Sequence, residues 1–302
     1  MQHNYSQKIQ ITLLNTHRMT LLLLPLSFLF IIIIIKKSIL ENFKFGAYIL
    51  IPTASVILSI IIFLFTEISS AFNEFSSDTS KIFWLAITVL SGILSFKKWK
   101  EITQAYSFII TAIAGLKQWI KSCLIVFITI NFIVIYIAPP NNTDSHDYHL
   151  SRIVSWIQNK NVETFPTVFT QQLYHNVFGE YVIAQVLLFS DSDVWVEIIQ
   201  FWAFISSLSL IVFISKSLGF SKSQSIYTFL FVTTLPIGIL ESTTTQVDYI
   251  ACFFYLYFLA FVVHYKSTQE LNNWQLTLML SGLILCLFSK YIIYFYALPV
   301  IL

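Results

Sequence analysis

Charge is scarce in this chain. Lysine and arginine together number 17 and aspartate and glutamate 15 among 302 residues, 11% of the sequence, against 57% apolar and 17% aromatic residues. An ordinary soluble domain carries about twice that charge, and a disordered chain is poor in apolar side chains, so both classes are excluded. A mean hydropathy of +0.76 calls for a bilayer as solvent. The net charge is only +2 and there is no basic tract, which argues against nucleic acid as a partner. Cysteine is nearly absent. Cys123, Cys252 and Cys286 lie far apart in apolar runs, with neither the spacing of a metal site nor that of a disulfide framework. Glycine and proline number seven each, so few points interrupt the apolar helices.

What remains is a succession of apolar runs. Thr20 to Ile35 follows Lys8 and Arg18 in the manner of a signal peptide, but Lys36-Lys37 comes directly after it and no small-residue cleavage site appears. It reads as a retained first span. Further spans are expected at 46–66, 83–96, 119–138, 194–214, 224–240, 249–265 and 274–289, with the first at 19–35 and a last one starting at Tyr291. The fold class expected is therefore an all-α polytopic bundle of about nine spans. Lys36, Lys37 and Lys44 follow the first span, Lys97, Lys98 and Lys100 the third, Lys216 and Lys222 the fifth, and Lys266 the seventh. By the positive-inside rule these connections are cytoplasmic. The alternation holds if 102–116, short for a span, lies at the interface or re-enters. It puts the loop 139–193 outside.

That loop is too long and too aromatic to be a structureless connector. Leu150, Ile153, Val154 and Ile157 follow an i, i+3, i+4, i+7 pattern, which predicts an amphipathic helix over 147–160 with Trp156 flanking the stripe and Arg152 off it. A second helix is expected at Glu180–Ser190, and both suit the outer membrane surface.

The polar groups collect on the same side. Ala138-Pro139-Pro140 is followed by Asp144, His146, Asp147, Tyr148, His149 and Arg152. Gln171, Gln172, Tyr174, His175, Asn176 and Glu180 come next, then Glu241, Gln246 and Asp248, then Lys290. Polar side chains at a bilayer are costly and are functional candidates by default. Carboxylates beside cations suit a reaction that deprotonates an acceptor and expels an anionic phosphate. Each also has a plainer role. Asp144, Asp147, Glu180 and Asp248 can cap helices, and Arg152 and Lys290 can snorkel to headgroups. His146-x-x-His149 has the look of a metal pair but lacks further ligands at matching positions, and hydrogen bonding is the preferred reading.

The stretch Asp144-Ser145-His146-Asp147-Tyr148-His149-Leu150-Ser151-Arg152-Ile153-Val154-Ser155-Trp156-Ile157-Gln158-Asn159 resembles the Asp-Ser-x-x-Tyr-His-Leu-x-Arg-Val-x-x-Trp-x-Gln-Asn stretch of bacterial GT-C superfamily membrane glycosyltransferases. That group includes protein O-mannosyltransferases and the lipid A aminoarabinose transferase. The likeness continues at Phe165-Pro166-Thr167, Glu180-Tyr181, Leu235-Pro236, Glu241 to Asp248, and Lys290, Tyr294 and Leu298-Pro299. It divides the chain into N-terminal helices with an interfacial segment, 1–118, and a GT-C-like core, 119–302. Ser151 stands where proline is usual, and Asp147 where a neutral residue is usual, which favours Asp144 over Asp147 as the catalytic carboxylate.

The resemblance implies an inverting sugar transfer from a polyprenyl-phosphate-linked donor to a glycan, lipid or protein acceptor, at the outer face of the bacterial inner membrane. Asp144 is the expected general base. Arg152 and Lys290 are expected at the donor phosphate, and Gln246 and Asp248 at sugar hydroxyls. Tyr148, His149, Gln172 and Glu180 are expected to complete the binding site. No metal ligands are assigned. A divalent cation such as Mg or Mn is compatible with the resemblance because some relatives use one. Members of the family run longer, so the chain is expected to be a truncated form. A lipid flippase or transporter, or a non-catalytic membrane scaffold, are the competing expectations; the first predicts broken helices at mid-membrane.

Overall fold

The computed structural model describes residues 20–96, 98, 117–190 and 192–302. Among them there is no strand. The helices are α1 (Leu23–Asn42), α2 (Gly46–Ala71), α3 (Ser77–Phe96), α4 (Gln118–Ile137), α5 (Leu150–Asn159), α6 (Gln171–Tyr174), α7 (Phe178–Ser190), α8 (Ile198–Ser217), α9 (Lys222–Thr233), α10 (Pro236–Glu241), α11 (Asp248–Thr268), α12 (Asn273–Ser289) and α13 (Ile293–Ile301). A π-helical turn, Ser145–His149, leads into α5. Six helices, α1 to α4, α8 and α11, are long and apolar enough to cross a membrane. At 17 residues α12 falls just below that length.

The helices approach closely where side chains are small. A Cβ on Gly282 would lie 2.7 Å from Tyr257 Cδ1, so glycine lets α12 settle against α11. Hydroxyls and amides then join helices inside the apolar bundle. Ser27 meets Thr88 at 2.8 Å, Tyr257 meets Thr53 at 3.1 Å, and the Trp84 indole donates to Gln185 at 2.9 Å. Capping boxes at Ser221 and Asn272 fix the starts of α9 and α12.

These contacts also fix helix directions. Thr88 bonds to the Leu23 carbonyl and Lys98 to that of Ile34, so α1 and α3 run parallel. Ser209 bonds to the Tyr48 carbonyl and Trp202 to Ser55, so α8 runs antiparallel to α2. Tyr136 packs on Trp195 and Phe127 on Phe204, so α4 is antiparallel to α8. The end of α3 and the start of α4 therefore lie on one face. Segment 102–116 itself falls outside the described residues. On that same face the Lys44 and Lys216 ammonium groups both lie over the Phe45 ring, at 5.6 and 5.7 Å. Glu67, Asp144, Glu241 and Asp248 belong to the opposite face.

Two expectations are corrected. The run 224–240 is two helices, because Leu235 precedes a proline and is extended (ψ 117°), after which Pro236 opens α10. The apolar stripe of α5 is also rotated. Val154 is 44% exposed, while Ile153, Trp156 and Arg152 are buried. An arginine on the inner face escapes a pattern that scores it as polar.

Candidate functional site

The site begins where Pro139-Pro140 ends α4. The Asn142 side-chain oxygen accepts the Ser145 N–H at 2.7 Å and so caps the π turn. Asp144 does not take that role, since no side-chain cap bond forms from it at the turn. The Thr245 hydroxyl donates to Ser145 Oγ at 2.6 Å, which pins the turn to the segment preceding α11. One residue on, the Gln246 amide donates to Asp144 Oδ2 at 3.1 Å. The Tyr148 hydroxyl lies close enough to feel the Asp144 charge. Asp144 is thus held by the Gln246 amide on a half-buried site rather than consumed by backbone capping.

Behind this carboxylate lies a sealed network. Glu180 is fully buried, and Glu180 Oε1 receives His149 Nδ1 at 2.7 Å and the Arg152 guanidinium. Arg152 is 1% exposed; it donates to the carbonyls of Gln172 (3.2 Å), His175 (2.9 Å) and Asn176 (3.2 Å), and its guanidinium lies 5.3 Å from the Trp156 ring. Gln172 donates to the Asp147 carbonyl at 2.7 Å and to Ser151 Oγ at 2.8 Å. Burial raises the Glu180 carboxyl pKa, but the Arg152 and His149 partners outweigh it and hold the group below the usual carboxylate range. A charge pair this deep keeps its geometry, because losing one partner strands the other and costs about 3–5 kcal/mol. At the start of α7, a Cβ on Gly179 would lie 2.3 Å from Val247 Cγ1, so glycine brings this network against the residue preceding Asp248.

The mouth is different in character. Lys290 Nζ donates to Asp248 Oδ1 at 2.5 Å, with side chains 29% and 44% exposed. Lys290 stands between α12 and α13 in extended conformation, and Asp248 opens α11. Glu241 lies close enough to feel Asp248, Lys290 and Asp144; burial and the Asp248 charge push its carboxyl up, and its Oε2 has no partner among the described residues. The Tyr148 ring stacks on His175 at 5.0 Å and 13°, and His175 in turn faces Tyr291 at 5.7 Å. Burial, with Asp144 beside it, raises the Tyr148 hydroxyl, so it stays a donor. Burial and the Arg152 charge lower the His175 ring.

The predicted residues therefore fall into two sets. Asp144, Tyr148, Gln246, Asp248 and Lys290 meet at the half-exposed mouth. His149, Arg152, Gln172 and Glu180 form the buried network, and the Asp147 carbonyl is tied to it while His146 is exposed. His175 and Glu241 belong to the mouth as well, although no role was assigned to either from sequence. Spacing carries no signal for His175. For Glu241 the signal was its place after Leu235-Pro236. Among the described residues no group of three His, Cys, Asp or Glu side chains is placed to hold a metal ion. Comparisons of the chain with protein-family models, with curated proteins and with solved structures gave no match.

Proposed function

We propose that the protein is an integral membrane glycosyltransferase of GT-C type that moves a sugar from a polyprenyl-phosphate donor to an acceptor with inversion. The observation that carries this reading is Asp144. It is a carboxylate free of helix capping, oriented by Gln246, in a mouth that also holds the Lys290 ammonium. A sugar or serine hydroxyl is a poor nucleophile until a base takes its proton, and the departing lipid phosphate needs a cation. Asp144 takes the first role and Lys290 the second. Arg152, with its donors turned to Glu180 and three carbonyls, acts by holding the loop and not by touching phosphate. Asp248 and Gln246 border the space where sugar hydroxyls would lie.

In this reading the broken α9–α10 element, α12 and α13 join the six long helices as spans, and α5 and α7 lie along the outer interface. The lysine-bearing face is cytoplasmic and the mouth opens outside the bacterial inner membrane. The acceptor is a glycan, lipid or protein.

The test is Asp144→Asn in purified protein, supplied with a panel of polyprenyl-phosphate sugars and acceptors. Transfer should fall by at least about 100-fold with donor binding retained. Undiminished transfer removes Asp144 as base. The break at Thr234–Pro236, followed by the half-buried Glu241, favours one second reading, a flippase of a polyprenyl-linked glycolipid. Lipid movement between leaflets without any acceptor would support it.

A further inference from the structure

Lys290 and Asp248 pair with both side chains partly exposed, at the mouth of the site and without a third partner among the described residues. Among the described residues Asp248 is the one hydrogen-bond partner of the Lys290 ammonium, and the carboxylate oxygen sits 2.5 Å from it, in the position a phosphate oxygen would take. We propose that Asp248 is a stand-in for the ligand: it occupies Lys290 in the ligand-free protein and is displaced by the lipid-linked phosphate. This rests on the glycosyl-transfer reading above.

Three features make the contact displaceable. Both side chains reach solvent, so opening the pair strands no buried charge. The Lys290 backbone N–H is anchored on the Cys286 carbonyl, so the side chain can swing while the chain stays in place. Asp248 lies in the first turn of α11, where free N–H groups favour a carboxylate after it leaves the lysine. Arg152 cannot serve instead, because its guanidinium is buried on Glu180 and three carbonyls.

Competition from Asp248 has a chemical consequence. The donor is a phosphodiester with one negative charge. In the reaction the acceptor oxygen bonds to the anomeric carbon and its proton passes to Asp144. The bond from that carbon to the phosphate oxygen breaks, and its electron pair leaves with the lipid phosphate. The leaving phosphate is a monoester and carries up to two negative charges. A single charge competes poorly with Asp248 for Lys290, whereas the second charge competes well. Lys290 is therefore engaged more strongly as the bond breaks than in the bound donor, which is the condition for lowering the barrier.

The experiment measures binding of two short-chain probes, decyl phosphate (a monoester) and methyl decyl phosphate (a diester), to the detergent-solubilised full chain. Wild type is expected to prefer the monoester. Asp248→Asn should tighten binding of both probes by about fivefold, the range of an exposed ion pair. Asp248→Ala should do the same, with the thermal transition of each variant checking that it is folded. If both variants bind both probes no better than wild type while Lys290→Ala weakens both, Asp248 is no stand-in although Lys290 still holds the phosphate. If Lys290→Ala leaves both affinities unchanged, the phosphate is not on Lys290 and the proposal falls with that assignment.

Discussion

Arg152–Glu180 and Lys290–Asp248 are both cation–carboxylate pairs at one end of the bundle, but the first is sealed and the second is open. Arg152 and Glu180 are 1% and 0% exposed at the side chain, Lys290 and Asp248 29% and 44%. Arg152 is bonded on several sides by backbone carbonyls that lie 20 to 24 residues further along the chain, so it ties the Asp144 loop to the start of α7. Lys290 has one partner and solvent on the other side. Burial makes a pair structural, because neither member can leave without stranding the other. Exposure makes a pair exchangeable, because water or a ligand can replace either member at little cost. The candidate site uses both, with a fixed frame behind and an exchangeable contact in front.

The comparison can be broken most severely from the buried side. Arg152→Ala should cost about 3–5 kcal/mol, and little folded protein should survive detergent extraction, as judged by size-exclusion chromatography. The double replacement Arg152→Met with Glu180→Leu should recover only part of that loss, since it removes both charges together but leaves three carbonyls and His149 without their partners. A smaller but clear loss, about 1–3 kcal/mol in thermal unfolding, is expected for Gly179→Ala, whose Cβ would collide with Val247.

Acidity probes both the mouth and the frame. His175 has its ring pKa lowered in the folded protein by burial and by Arg152, so the unfolded chain takes up the proton first. The stability that neutral His175 contributes is present above its ordinary value of 6.5 and is lost as pH falls through that value and below. Melting temperature in wild type should drop over that window, and His175→Gln should flatten the drop. Glu180 is lowered as well, so its contribution disappears only in stronger acid, below the ordinary 4.5. The smallest expected effect is on the open pair. Lys290→Ala should change unfolding free energy by no more than about 1 kcal/mol, a value that double-mutant cycles with Asp248→Asn would measure directly.

Much of this layout was legible in the sequence. The four leading apolar runs, and those over 194–214 and 249–265, are the six long helices, because twenty apolar residues in a row leave a chain few alternatives in lipid. Lysine placement anticipated which helix ends share a face, and the polar groups around Asp144, Asp248 and Lys290 do meet at one end. What escaped is what depends on tertiary partners. Arg152 was assigned to the polar side of α5 because a periodic pattern cannot see Glu180 waiting 28 residues later. Sequence alone leaves Asp144 open as a cap, because it does not say that Asn142 does the capping. The break at Leu235-Pro236 was visible as residues, yet the apolar run on both sides concealed it. His175 was counted among the polar residues of its loop, and only packing reveals its stack on Tyr148.

The central claim is that the open side of this comparison does chemistry through Asp144. The most direct measurement is the rate of sugar transfer from a polyprenyl-phosphate donor by Asp144→Asn beside Asp147→Asn, in folded protein with matched thermal transitions. The account predicts a loss of at least about 100-fold for Asp144→Asn and a change of a few-fold at most for Asp147→Asn. Equal losses in the two variants, or full activity in Asp144→Asn, would contradict it.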